Sequence, residues 1–399
     1  MTETTLIGLR SEVQSELINN ILPFWMTRMI DNKNGGFLGR ADGNGVLHEH
    51  ADKGCVLNAR ILWTFSSAFR ILKDPAYLAV AKRAMDFLLD KFFDRQNGGV
   101  FWLLDCHGQV LDGKKQIYAQ AFAIYALTEY YRATGDKVAL GHARDLFYMI
   151  EKFSFDKKLN GYFEAFARDW SEIDDLRLSD KDANEKKTMN THLHVLEAYT
   201  NLYRVWPDDF LRLQLKNLIL LFKNKIINNK TFNLNMFFDE EWNDKTEMIS
   251  YGHNIESSWL LFEAAEVLGE DALTDEIKDV CIKIAEASRE GLMVDGGMIY
   301  EKFFNKDHID MDRHWWVQAE SVLGYLNAYS LSGKKEYLDI CIGSWKFISQ
   351  HIVDRNNGEW YWSVDNDHVP DLKNDKAGFW KCPYHNSRMC LEIIEKTTH

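Results

Sequence analysis

The sequence predicts an all-α protein in which six helix pairs close into an (α/α)6 barrel, with six inner helices lining a cavity and six outer helices around them. Three observations predict it. A short glycine motif followed by aromatic or β-branched residues recurs at Asn34-Gly35-Gly36-Phe37, Asn97-Gly98-Gly99-Val100, Asn160-Gly161-Tyr162-Phe163, Asp295-Gly296-Gly297-Met298 and Asn357-Gly358-Glu359-Trp360. From Gly36 through Gly99, Gly161 and Gly297 to Gly358 the steps are 63, 62, 136 and 61 residues. The long step is two periods with one marker lost near Asn235-Met236-Phe237-Phe238, so the chain holds six units. In another phase, the turns Lys73-Asp74-Pro75, Gly135-Asp136-Lys137, Pro207-Asp208-Asp209, Gly269-Glu270-Asp271 and Gly333-Lys334-Lys335 each lead into a helix, most with an acidic or proline start. Between these turns the apolar residues keep helical spacing.

That spacing predicts helices over 5–28, 55–72, 75–92, 116–134, 137–153, 189–205, 208–226, 252–268, 271–289, 313–331, 334–351 and 383–396. Two helices per unit suit a closed ring or an open solenoid. Six units, and a chain that ends on an inner-type helix, favour the ring. Pro occurs only five times, mostly at element edges, as an all-helical chain requires. No linker interrupts the pattern, so residues 1–399 are expected to form one domain.

Composition narrows the function. The net charge of −13 and pI near 5.5 argue against nucleic acid or an anionic membrane as partner, and no basic stripe offsets them. A neutral or cationic small molecule fits better. Residues 1–24 lack the basic and apolar regions of a signal peptide, and no run approaches a membrane span. The six cysteines show no C-x-x-C and read as reduced thiols of a cytoplasmic protein. The 13 Trp, 16 Tyr and 24 Phe serve mainly the core, although a tryptophan in a pocket also offers a flat face to a sugar ring.

Polar residues at the starts of inner helices mark one end of the barrel. Ser250-Tyr251-Gly252-His253-Asn254-Ile255-Glu256 opens one helix, with His253 and Glu256 three apart on a shared face. Asn190 and His194, and Trp316 and Glu320, are four apart. Arg60 is early in its helix, and Lys381-Cys382-Pro383-Tyr384-His385 opens the last, with Pro383 suited to its first turn. A metal centre is not expected. His253-x-x-Glu256 reverses the order used by di-metal bundles and has no matching pair. His48-Glu49-His50 has metal-like spacing only, and His192 and His194 diverge on a helix.

Several segments then match a known family. Lys53-Gly54 through Arg60-Ile61-Leu62-Trp63, Lys187-Thr188-Met189-Asn190, Ser250 through Glu256, Trp315-Trp316-Val317-Gln318-Ala319-Glu320 and Trp380 through Cys390 resemble the cellobiose 2-epimerases of the N-acylglucosamine 2-epimerase superfamily. The resemblance covers essentially the whole chain, and the last two segments are the most specific. It implies a barrel of six helix pairs and inversion at C2 of a reducing-end sugar, without a redox cofactor. The expected substrate is cellobiose or a related β-1,4-disaccharide.

The resemblance implies roles for individual residues. His253 and His385 exchange the C2 proton, their pKa values held near neutrality between the helix dipole and the carboxylates of Glu256 and Glu320. Arg60 and His194 stabilise the enediolate oxygen. Tyr118 and Asn190 bind sugar hydroxyls, and Trp316 and Trp380 are stacking platforms, with Trp259 a further sugar contact. His192 stands where an apolar residue is expected and has no role. The expected assembly is a monomer or weak homodimer. Rival readings are a monosaccharide 2-epimerase or mannose isomerase, a glycoside hydrolase using two carboxylates, and a sugar-binding protein without catalysis.

Overall fold

Local signals set the helix ends first. In the computed structural model, which describes residues 2–305 and 308–397, four inner helices stop on a residue in the left-handed region: Lys73, Gly135, Gly269 and Gly333, with φ of 62°, 76°, 74° and 69°. Three outer helices start on an aspartate, Asp74, Asp136 or Asp208, whose carboxylate accepts from the amide two residues on.

The helical segments are α1 (Thr2–Glu16), α2 (Leu22–Thr27), α3 (Cys55–Leu72), α4 (Pro75–Phe87), α5 (Ile117–Thr134), α6 (Lys137–Phe153), α7 (Met189–Val205), α8 (Asp209–Leu221), α9 (Tyr251–Leu268), α10 (Asp271–Ala287), α11 (Trp315–Ser332), α12 (Lys335–Phe347) and α13 (His385–Lys396). A π turn, Leu17–Ile21, joins α1 and α2 into the single helix expected over 5–28, so the described residues hold twelve helices. Further π turns extend α4, α8 and α12, and a 3-10 turn extends α10. The last helix starts at His385 rather than at 383. Pro383 stays in the preceding loop, so the histidine lies in the first turn.

The odd-numbered helices from α3 to α13 form the inner ring. Each packs on the next, and α13 closes on α3. The outer helices lie against them, with Trp345 of α12 donating to Glu12 of α1 at 2.7 Å across the seam. Inner helices are buried on nearly every face, α5 from Ile117 through Tyr130, because they face both the outer layer and the ring centre. Among the described residues no helix is long and apolar enough to cross a membrane.

The glycine motifs are tight hairpins, closed by bridges such as Phe93 with Val100 and Phe155 with Tyr162. Two- and three-residue strands link each unit to the next: Lys53–Gly54 pairs with Leu103–Leu104, Lys115–Gln116 with Ala165–Phe166 and Lys187–Thr188 with Phe237–Phe238. The all-α expectation therefore gains a collar of small sheets at the end where the inner helices begin. Two devices lock that collar. Buried lysines before inner helices pair with hairpin aspartates: Lys53 with Asp31, Lys115 with Asp94 and Lys187 with Asp156, at 2.7, 3.0 and 2.7 Å. Removing one partner of such a pair costs about 3–5 kcal/mol. A side chain at the fourth step of the inner helix also accepts from a hairpin amide: Gln120 from Val100, His192 from Tyr162, Asn254 from Leu234 and Gln318 from Met298. His192 is thus one of a repeated set of anchors.

Candidate active site

Because the anchors align the repeats, the residue two steps further along each inner helix falls in one layer. That layer is Arg60, Phe122, His194, Glu256, Glu320 and Arg388, all buried. Charged residues survive here because they satisfy one another. Arg388 Nη2 donates to Oε1 of both Glu256 and Glu320 at 2.6 Å. Its Nη1 bonds Glu197 and the Tyr384 hydroxyl, and Tyr384 also donates to Glu197. Glu197 holds His194 in turn, Oε2 to Nδ1 at 2.9 Å.

His385 faces the same cluster. Its Nδ1 lies 2.7 Å from Glu320 Oε1 and 3.9 Å from Glu256 Oε1. A carboxylate opposite Nδ1 assigns the ring proton to that nitrogen and leaves the Nε2 lone pair free. His253 differs from expectation. It shares a helix face with Glu256, but its Nδ1 meets Ser250 Oγ at 2.8 Å, and Glu256 turns to Arg388 instead. Both imidazoles neighbour one indole: the Trp316 ring is 4.8 Å from His253 and 5.5 Å from His385.

Burial dominates the titration of these rings. It pushes His253 down to about 3, with the neighbouring His194 adding to the effect, and holds His385 well below its ordinary value. His194 is lowered for the same first reason. The balance of dipole and carboxylate expected from sequence is therefore outweighed by desolvation, and the histidines are neutral at pH 7. Glu256 moves the other way: burial and the negative charge of Glu320 raise it to about 8, against the pull of Arg388. Glu320 beside it is raised as well, by burial.

Glu256, Glu320 and His385 bring three ligand atoms within 4.8 Å of one another, the spacing of a metal site. The Arg388 guanidinium already binds both carboxylates and supplies the positive charge that a cation would bring. His192 and His194 do diverge: His192 bonds the Tyr162 amide and the Thr188 carbonyl, away from His194 and Glu197.

The other expected residues separate into two groups. Arg60 donates to the Tyr118 hydroxyl at 2.8 Å and lies over the Phe122 and Tyr384 rings, with its buried Nε unpartnered. Asn190 Oδ1 is also buried without a partner. Trp380 is half-buried beside Trp102 and Tyr118, ring centres 5.9 Å away in both cases, and borders a groove of about 360 Å³. Trp259 is the exception. It lies beneath the carboxylates with its Nε1 committed to Glu320 Oε2 at 2.9 Å and its ring under Arg388, so it supports the site instead of contacting a sugar. Glu197, Tyr384 and Arg388 escaped the sequence reading. Arg388 could have been found by aligning the repeats, since it shares its place in the repeat with Arg60 and Glu256.

Known proteins resemble this chain along its length. The family model described as N-acylglucosamine 2-epimerase (GlcNAc 2-epimerase) matches residues 36–388. The cellobiose 2-epimerase of Bacteroides fragilis is 55% identical, over 97% of this chain and 98% of that protein, and that of Ruminococcus albus is 41% identical over 97% and 98%. The solved structure of cellobiose 2-epimerase from Bacillus thermoamylovorans superposes with a TM-score of 0.94 at 42% identity, covering 98% of this chain and 99% of the other. The chain belongs to the N-acylglucosamine 2-epimerase family.

Proposed function

We propose that the protein epimerises C2 of the reducing-end glucose of cellobiose and related β-1,4-disaccharides, turning cellobiose into glucosylmannose. The observation that carries this reading is the pair of imidazoles, His253 and His385, set against one indole, with His385 Nδ1 on the Glu320 carboxylate. The names of the relatives point the same way.

The chemistry needs little more. Opening the pyranose exposes an aldehyde at C1 and makes the C2 proton removable. One imidazole takes that proton; the C–H electron pair forms the C1–C2 double bond, and C1=O becomes an oxyanion. The other histidine, carrying a proton taken up from solvent, returns it to the opposite face of C2; the electrons move back to restore the carbonyl, and the first imidazolium gives its proton up to solvent. The same pair serves ring opening and closing. Arg60, with an unpartnered Nε, and His194, held by Glu197, face the enediolate oxygens. Asn190 offers its unpartnered oxygen to a sugar hydroxyl, Tyr118 its hydroxyl, and Trp316 and Trp380 stack on the two sugar rings.

The hydrolase reading lacks support, because Glu256 and Glu320 share one arginine and do not stand free on two sides of a bond. Incubation with cellobiose in D2O, followed at C2 by NMR, tests the proposal. Glucosylmannose with deuterium at C2 is expected. Exchange on mannose or N-acetylglucosamine but not on cellobiose would move the protein to a monosaccharide substrate, and free glucose would mean hydrolysis.

A further inference from the structure

Glu359 breaks the rule of the hairpins. It is wholly buried with φ of 62°, in the left-handed region where a side chain is strained. Earlier repeats place Gly36, Gly99 and Gly161 there, with φ of 61°, 74° and 89°. A Cβ on Gly99 would stand 2.8 Å from Gln120 Oε1, and one on Gly161 3.0 Å from His192 Nε2. Where the inner helix sends its anchor to the hairpin, the hairpin leaves room for it.

In the sixth repeat the exchange is reversed. The helix residue is Asn386, which donates to Glu359 Oε1 at 2.8 Å, and Trp25 Nε1 donates to the same oxygen at 3.1 Å. Glu359 Oε2 accepts from the Trp360 amide at 2.5 Å, the bond that the helix anchor makes elsewhere, and from Lys381 Nζ at 2.7 Å. Asn20 brackets the strained backbone, accepting from the Glu359 amide at 2.9 Å and donating to its carbonyl at 3.3 Å. Lys381 and Asn386 flank His385 in the chain, and α13 begins without a side-chain cap. The Glu359 carboxylate therefore fixes the start of α13 from both sides of the histidine.

We propose that Glu359 is a positioning residue for His385, setting its imidazole against Glu320 through Lys381 and Asn386. The inference rests on the reading of His385 as a proton-transfer group, yet it can be tested without turnover. Histidine is labelled with 15N, and the His385 ring signals are identified by their loss in His385→Gln. Two variants cut different links: Glu359→Gln removes the charge opposite Lys381, and Asn386→Ala leaves that pair whole. In each, the His385 ring signals shift while those of His253 and His194 stay in place. With cellobiose, kcat falls by ~10–100-fold and KM stays near the parent value, as for a misplaced group. Unmoved His385 signals, or equal movement of all three histidines together with a lowered Tm, would overturn the proposal. A parent protein inactive on cellobiose would refute the epimerase reading alone, since the ring signals decide Glu359 regardless.

Discussion

His253 and His385 occupy equivalent places in their repeats, each one residue before an asparagine, Asn254 and Asn386, that meets the hairpin of its repeat. The two helices, α9 and α13, flank α11, which carries Trp316 between them. Two equivalent positions of a repeated fold thus bring one imidazole each beside one indole, in different settings: Ser250 beside one, Glu320 beside the other.

This pairing predicts the effect of losing either ring. His253→Ala and His385→Ala should each lower turnover of cellobiose by ~10²–10⁴-fold with little change in Tm. Near-normal turnover in either variant would remove that histidine from the mechanism.

The pH profile should report the carboxylate cluster and not the histidines. His253 at about 3 is already neutral across the working range, so no acid limb near pH 6.5 is expected. Glu256, raised to about 8, loses its proton as the pH climbs through that value, and kcat/KM should fall there. A Glu256→Gln enzyme that kept the alkaline limb unchanged would assign the limb to another group.

The proposed stacking of Trp380 on the distal sugar distinguishes a disaccharide from a monosaccharide. Trp380→Ala should lower kcat/KM for disaccharide about tenfold more than for mannose, in line with a lost stacking contact of about 1–1.5 kcal/mol. Comparing the two substrates under the same conditions decides it, and equal losses would place the indole elsewhere.

Stability should depend on pH through Glu151. Its Oε1 accepts from the hydroxyls of Tyr162 and Tyr199 at 2.8 and 2.7 Å, and burial raises the carboxyl from 4.5 to about 7. The folded chain keeps a proton that the unfolded chain releases near pH 4.5, so stability falls as pH rises from there through about 7. The full effect is about 3 kcal/mol. Glu151→Gln should flatten the decline in Tm between about pH 5 and 8, with Glu164, raised to about 8, supplying what remains. Parallel curves for parent and variant would contradict this.

His192 should be replaceable by the residue that does its work in sister repeats. His192→Gln should melt close to the parent, because Gln120 and Gln318 accept the equivalent hairpin amides. His192→Ala leaves the buried Tyr162 amide unpaired and should cost about 1–3 kcal/mol. Denaturant unfolding of both variants measures the difference, and a marked loss in His192→Gln would show that the imidazole does more than anchor.

The helices were legible because their causes are local. Apolar spacing, aspartates at helix starts and left-handed residues at helix ends act within a few residues, so predicted and observed bounds of the segment 137–153 coincide. The start of α13 was misplaced because Glu359, 26 residues away in sequence, fixes it in place of a cap. The site was half legible. His253, His385, Glu256, Glu320, Arg60 and His194 were singled out by type and by position at helix starts, whereas Trp259 was given a sugar that its bond to Glu320 denies it.

By itself the sequence determined the repeat, and with it a ring of helices with polar residues gathered at one end. Only the tertiary structure decided which charges meet. Glu197, Glu256, Glu320 and Arg388 lie on four helices and touch because the ring closes α13 onto α3. Burial inside the closed ring then shifted their titration, lowering His253 and His385 and raising Glu256. Desolvation and distance across a ring are properties of the assembled barrel, and no segment of the chain carries them alone.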